Sequence, residues 1–195
     1  MKNILHEDIN IEELLRPETD LERFLIADPV FVQGLMWGKP RFGHPEGKVI
    51  FHIREVLDNV DLLDISSEDR VRIRLISFLH DTFKHKEGKE RNPRDWTKHH
   101  AILARKYAEQ YIFDPVVLDI IELHDEAYYC WRSMALNKKK QVQDDQRLTR
   151  LLDRLGENHQ LYYLFFKCDT QTGDKNQAPL LWFEKNISDI EIKKF

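Results

Sequence analysis

The pair His80-Asp81 stands at the end of an apolar run, LISFLHDTFK, and Lys84 follows three residues later. Imidazole nitrogen and carboxylate oxygen both bind divalent metals at neutral pH. Neighbouring residues on a helix point about 100° apart, so both side chains can reach one ion only near a bend or a helix end. Lys84 would then meet an anion bound to that ion. Taken alone, such a pair is better explained as an ordinary polar helix end.

Other histidines and one aspartate also fall on apolar faces of predicted helices. A buried carboxylate without a partner is very costly, so the aspartate at the end of an apolar line needs one. The set comprises His52, His80 with Asp81, His99 or His100, His124, and Asp169. Each residue alone is more simply a satisfied core group, whereas five coincidences favour a metal site inside a helical bundle. Mixed nitrogen and oxygen ligands suit Mn, Fe, Co, Ni or Zn.

Basic residues dominate the segment that follows the His-Asp pair. From Thr82 through Lys106 there are eight basic residues against three acidic ones, in a chain whose net charge is −4. The basic residues are Lys84, Lys86, Lys89, Arg91, Arg94, Lys98, Arg105 and Lys106. This imbalance indicates an anionic ligand. For any single lysine, a solvated loop is the better explanation.

The elements that must position these residues are helices. Apolar positions recur at helical spacing at about 48–63, 66–80, 92–107, 114–128, 148–155 and 158–170. Ser66 or Ser67, Asn92-Pro93 and Asp114-Pro115 are helix-start signals, and Gly156 is a stop signal. Residues 1–47 are predicted as short helices and loops covering the core from outside. Residues 132–146 are predicted as a polar surface connection, and residues 174–195 as a tail with Leu180 to Phe183 on the surface.

Composition places the chain among single-domain helical proteins. Its 195 residues suit one domain, and its few glycines and prolines favour an all-α fold over a β-rich or disordered one. Two cysteines make no disulfide framework, which indicates a reducing compartment. No apolar run is long enough to span a bilayer. We therefore expect a cytoplasmic protein with no membrane association and no stable nucleic-acid complex.

In chain order these residues resemble the H…HD…D signature of the HD-domain superfamily of metal-dependent phosphohydrolases. HPEGKVIFH, at 44–52, resembles the segment that opens the HD domain of bacterial CCA-adding tRNA nucleotidyltransferases. LISFLHDTFK resembles the superfamily's LLHDxxK, and CDTQTGD, from Cys168, resembles its closing aspartate segment. HHAILA, from His99, resembles H-E-x-x-G-A, with Leu103 in place of the glycine. We expect no nucleotidyltransferase head, so CCA addition is not implied.

The resemblance implies an HD-type helical bundle with a metal site in its interior. The whole chain, 1–195, would be one domain, with a motif-bearing core at about 40–175, an N-terminal helical cap at 1–39 and a C-terminal tail at 176–195. The first ion would be held by His52, His80, Asp81 and Asp169. His99 and His124 would serve a second ion, with His100 as the alternative to His99. One or two divalent transition-metal ions are expected, with Mg as a further option.

The implied activity is hydrolysis of a phosphate ester by metal-activated water. Asp81 would bind metal and orient the nucleophile, and Lys84 would bind a phosphoryl oxygen. The remaining phosphate contacts are expected among Lys86, Arg91, Arg94 and Lys98. The expected substrate is a nucleotide or another small phosphorylated molecule. Two alternatives stay open: a di-iron oxygenase of the same superfamily, and a non-catalytic regulatory domain that binds a ligand.

Overall fold

The computed structural model describes residues 9–88, 95–136 and 141–194. These ranges form eleven α-helices and contain no β-strand, which confirms the all-α prediction. The helices are α1 (Ile11–Leu15), α2 (Asp20–Ala27), α3 (Pro29–Leu35), α4 (Val49–Asp61), α5 (Ser67–Leu79), α6 (His100–Ala108), α7 (Pro115–Leu123), α8 (Glu126–Leu136), α9 (Gln141–Leu155), α10 (His159–Thr170) and α11 (Ala178–Asn186). In the same ranges, none of these helices has the length and apolar character needed to cross a membrane.

Local sequence signals set where the site-bearing helices begin. The hydroxyl of Ser66 accepts a hydrogen bond from the amide of Asp69 at 3.0 Å and caps α5. The carboxylate of Asp114 caps α7 through the amide of Val116 at 2.9 Å, and Pro115 takes the first helical position. The helix start predicted at Asn92-Pro93 lies outside the described residues. Helix α6 begins at His100, with His99 as its N-cap.

Helix α5 lies at the centre of the bundle. It packs against α4, α6, α7 and α10, and α4 also packs against α10. Ile53 on α4, Ile76 on α5 and Phe165 on α10 are fully buried between these helices. The C-terminal end of α5 therefore delivers His80 and Asp81 into the interior.

The N-terminal helices contribute to the core, which the sequence analysis did not predict. Leu15, Phe31 and Leu35 are fully buried, so this part of the chain is not simply an outer cover. A buried ion pair joins helix α2 to the central helix α5. The guanidinium of Arg74 on α5 lies 3.0 Å from both carboxylate oxygens of Glu22 on α2. Breaking such a buried pair by removing one partner is strongly destabilising.

The prediction of one continuous helix through His124 to Tyr128 was wrong. Helix α7 ends at Leu123, and α8 begins at Glu126. Side chains satisfy the backbone groups that the break releases: the ring of His124 bonds to the carbonyl of Ile121 at 2.8 Å, and the hydroxyl of Tyr162 donates to the carbonyl of Leu123 at 3.0 Å. The turn therefore places His124 and Asp125 together at a helix end, as at His80-Asp81.

Two further expectations were wrong. The supposed polar connection at 132–146 is helical in its described parts, because α8 extends to Leu136 and α9 starts at Gln141. The supposed surface tail contains α11, whose Leu180 and Phe183 are buried. The ring of Phe183 packs against the rings of Tyr162 and Phe166, at centroid distances of 5.8 and 5.7 Å. This aromatic contact makes the C-terminal helix part of the core.

Candidate metal centre

The pair His80-Asp81 lies at the C-terminal end of α5, where both side chains can reach one ion. Helix α5 ends at Leu79, and the ring Nδ1 of His80 lies 2.9 Å from the carbonyl of Ser77. Helix α3 packs tightly on the same turn, because a methyl group added at Gly34 would overlap the carbonyl oxygen of Thr82. Both His80 and Asp81 are buried. Close packing thus holds the pair in one orientation.

Asp81 lies between two clusters of histidine and aspartate. The first cluster consists of His52, His80 and Asp169, and the second of His100, His124 and Asp125. In the first, the Nε2 atoms of the two histidines are 3.2 Å apart, and Asp169 Oδ1 lies 2.9 Å from Nε2 of His52. Oδ2 of Asp81 lies 3.6 Å from both of these nitrogens.

The second cluster repeats this arrangement on the other carboxylate oxygen of Asp81. The Nε2 atoms of His100 and His124 are again 3.2 Å apart. Oδ1 of Asp81 lies 3.5 Å from the first and 3.6 Å from the second. Asp125 closes the cluster, with Oδ2 at 3.3 Å from Nε2 of His100. One carboxylate is therefore shared by two similar sets of ligand atoms.

The hydrogen bonds of the outer ring nitrogens indicate that these clusters suit cations. Nδ1 of His80 and of His124 each faces a backbone carbonyl, and Nδ1 of His100 lies 2.8 Å from a carboxylate oxygen of Glu87. These partners assign the ring proton to Nδ1, so the Nε2 lone pairs point inward. In the second cluster, the Nε2 lone pairs of His100 and His124 face each other at 3.2 Å and need a cation or a proton between them. Oδ1 of Asp81 is also buried without a hydrogen-bond partner. The residues present fit a divalent metal ion in either cluster.

Electrostatics differ between the two clusters. Burial and the ammonium of Lys175 lower the pKa of His52 to about 3. Burial would also lower the pKa of His124, but the carboxylates of Asp125 and Asp81 outweigh it and raise that pKa to about 9. Burial would raise the pKa of Asp81, yet the charge of Lys84 and the nearby imidazoles hold it well below its usual range. The second cluster is therefore the more strongly negative one.

An open cleft of about 400 Å³ leads to this centre, with Asp81, His124, Asp125 and Asp169 among its lining residues. Three cationic side chains also line it. Lys84 pairs with Oδ2 of Asp81, and Nζ of Lys175 lies 2.8 Å from Oδ1 of Asp169. The guanidinium of Arg41 makes no ion pair with any residue that the structure describes. The cleft therefore offers positive charge directly beside the ligand carboxylates.

The structure brings most of the predicted metal ligands together, and it gives different contacts to His99 and His100, whose ring centroids are 4.3 Å apart. His99 is the non-helical N-cap of α6, and its Nδ1 accepts the amide hydrogen of Ala101 at 3.3 Å. Its Nε2 faces the hydroxyl of Tyr129 at 3.3 Å and lies 3.8 Å from Oδ2 of Asp125, farther than Nε2 of His100 at 3.3 Å. His100, the first helical residue, points into the second cluster instead. The geometry thus favours the alternative, His100, over His99.

Of the described residues that were predicted to contact phosphate, only Lys84 lines the cleft. Lys84 lines the cleft, whereas Lys86 lies over the ring of Phe83 and Lys98 lies 3.4 Å from Asp95, and neither lines the cleft. Arg91 and Arg94 lie outside the described residues. The basic segment is therefore a poor guide to the cleft beyond Lys84.

Sequence reasoning missed four residues at this centre: Arg41, Glu87, Asp125 and Lys175. One signal was available, because His124-Asp125 repeats the His-Asp pair of residues 80 and 81. Asp125 lies off the apolar stripe, so periodicity did not select it. The other three come from loops, where periodicity gives no signal.

Comparison with known families supports the interpretation of the motifs. The family model of the HD domain matches residues 41–156, more than half of the chain. This confirms the resemblance at the level of the family, and nothing supports a particular closeness to the HD domain of CCA-adding enzymes. No curated protein and no solved structure matches the chain.

Proposed function

The chain belongs to the HD-domain family, and we propose that it is a metal-dependent phosphohydrolase acting on a nucleotide or another small phosphorylated molecule. HD domains are typical of metal-dependent phosphohydrolases, although the family also has non-catalytic members. The observation that carries the proposal is the pair of facing histidines on each side of Asp81, beneath a cleft lined by three cations.

In this proposal each cluster binds one divalent ion. His52, His80, Asp81 and Asp169 hold the first, and the second is held by His100, His124, Asp125 and the same Asp81. Bound ions supply Lewis acidity and lower the pKa of a coordinated water. Glu87 supports the second set, because its carboxylate accepts the Nδ1 proton of His100 at 2.8 Å and so orients the ring.

The side chains of the cleft have separate tasks. Asp81, whose pKa is held low, stays ionised and orients the attacking water. Burial would lower the pKa of Lys84, but the carboxylate of Asp81 raises it, so the ammonium stays charged. Lys84, Lys175 and Arg41 bind phosphoryl oxygens and offset their negative charge. Hydrolysis then forms a bond from water oxygen to phosphorus and breaks the ester P–O bond, releasing an alcohol and inorganic phosphate.

The test is metal analysis of protein purified without chelator, followed by phosphate release from a panel of nucleotides and sugar phosphates. We expect bound transition metal and metal-dependent phosphate release. His80→Ala should lose most of the metal and the activity together. His159→Ala is the matched control, because His159 bonds to the carbonyl of Leu152 and belongs to neither cluster.

The alternatives give different results in the same experiment. Full metal content in His80→Ala would contradict the ligand assignment. Stoichiometric iron with oxygen consumption and no phosphate release would indicate an oxygenase. Substrate binding without turnover under any metal would indicate a regulatory domain.

A further inference from the structure

Phe42 is a large apolar side chain held in water at the cleft. It is 85% exposed and lines the cleft. Its turn is closed by two backbone hydrogen bonds between Arg41 and His44, at 3.0 and 2.9 Å. The amide of Gly43 also donates to the carboxylate of Asp174 at 2.6 Å. The phenyl ring is thus presented by an anchored turn, although its exposure is unfavourable in the free protein.

The cleft is polar at the metal centre and also contains aromatic side chains. Asp81, Asp169, Lys84 and Lys175 supply the polar part. Tyr128, on α8, lines the same cleft and is 37% exposed. A volume of about 400 Å³ falls within the range of small-molecule sites and far exceeds a single phosphate. A phosphate at the charged part therefore leaves room for a leaving group beside the two aromatic rings.

One hydrogen-bond donor in the cleft remains for the leaving group when Arg41 contacts phosphate. It is the side-chain amide NH2 of Asn176, which has no partner among the described residues and whose Oδ1 accepts the amide hydrogen of Ala178 at 2.9 Å. An aliphatic leaving group would offer this donor no acceptor. A flat ring carrying acceptor atoms would offer one while stacking on an aromatic face.

We infer that Phe42 determines specificity by stacking on a planar heteroaromatic ring in the leaving group of the phosphate ester. The substrate class is then a nucleoside monophosphate or a chemically similar ester, rather than a sugar phosphate or an alkyl phosphate. This inference rests on the proposed function for its phosphate-binding end. It goes further by assigning the ring to a named side chain.

The experiment compares 5′-monophosphates of the four common ribonucleosides with ribose 5-phosphate, which carries the same ester without a base. Hexyl phosphate supplies an aliphatic comparison. Both kcat/KM and, by calorimetry on metal-loaded protein, the dissociation constant are measured for each ester. At least one nucleotide should have a higher kcat/KM and a lower dissociation constant than ribose 5-phosphate. Phe42→Ala should reduce the ratio of the kcat/KM values for that nucleotide and for ribose 5-phosphate by about 10- to 100-fold. Phe42→Tyr should largely retain it.

Phe113→Ala is the matched control, because Phe113 is 88% exposed and does not line the cleft. It should leave the ratio unchanged. Three results would overturn the inference while agreeing with the proposed function. They are hydrolysis of all the esters with no base preference, a preference for hexyl phosphate, and a ratio that Phe42→Ala does not change. Phe42-dependent binding of a nucleotide without hydrolysis would support the inference and contradict the proposed function. Absence of any nucleotide preference in both measurements would overturn the inference.

Discussion

The two clusters around Asp81 have matching ligand atoms and opposite electrostatic surroundings. Each pairs two imidazoles at 3.2 Å and adds one aspartate. At the first cluster, the ammonium groups of Lys84 and Lys175 lie against the carboxylates of Asp81 and Asp169. No lysine makes such a pair with Asp125 of the second cluster among the described residues. Similar ligand sets can therefore differ in their affinity for protons because of the charges beside them.

This difference indicates how the two clusters would share the work in the proposed mechanism. The first cluster is bordered by the lysines that line the cleft, so a phosphate would bind nearest to it. The second cluster lies where negative charge raises the pKa of His124 to about 9. A cation at the second cluster would offset more uncompensated negative charge, because the first cluster already has two ammonium groups beside it.

The largest expected effect comes from removing the carboxylate that both clusters share. Asp81→Asn should lose both ions and reduce activity by far more than the 10- to 100-fold cost of losing an outer partner. Metal content and phosphate release measure this. Asp125→Asn is the comparison, because it should weaken only the second ion. Two tightly bound ions in Asp81→Asn would show that the carboxylate is not shared.

A smaller effect is expected where only one cluster is damaged. His100→Ala should lower metal content from two ions to one, because it removes one imidazole of the second cluster. His99→Ala should keep both ions, since His99 faces Tyr129 instead. Metal titration with Mn and an anomalous difference map would locate the remaining ion. Loss of the second ion in His99→Ala alone would reverse this assignment.

The two clusters also differ in the carboxylates that face the Nδ1 atoms of their histidines. Glu87 lies 2.8 Å from Nδ1 of His100, whereas Glu46 lies 3.5 Å from Nδ1 of His52. Glu87→Gln should therefore weaken the second ion by about 10- to 100-fold, and Glu46→Gln should weaken the first ion less. Dissociation constants from competition with a metal-binding dye would measure both. An equal loss in the two variants would contradict a role for this difference in distance.

The smallest expected effect is the release of a proton when the second cluster binds metal. Without metal, His124 is protonated at pH 7.5 because its pKa is raised to about 9, whereas His52, with a pKa of about 3, is neutral. A metal ligand must be a neutral imidazole, so loading the second cluster should release about one proton. Its apparent metal affinity should rise with pH, by about tenfold per unit, and level off above about pH 9.

Calorimetry in buffers of different ionisation enthalpy would detect this release. His100→Ala, which should load only the first cluster, should release about one proton less than the unmodified protein. Equal proton release by the two proteins would mean that the clusters do not differ as their charges suggest.

The sequence alone determined the fold class and most of the inward-facing histidines. Helical periodicity placed His52, His80 and His124 on apolar faces, and all three are buried. Local signals predicted helix starts at Ser66 or Ser67 and at Asp114, and the caps are Ser66 and Asp114, because capping involves residues only a few positions apart. These features depend on short-range interactions, which the order of residues contains directly.

Only the tertiary structure chose His100 over His99 and brought Asp125 and Lys175 to the centre. Adjacent residues at a helix start diverge according to which one caps the helix, and periodicity cannot resolve a shift of one position. The break between α7 and α8 depends on Tyr162, which lies far along the chain on α10. Lys175 and Arg41 reach the cleft from loops separated by more than a hundred residues. Such positions follow from long-range packing, which brings together segments that share no local pattern.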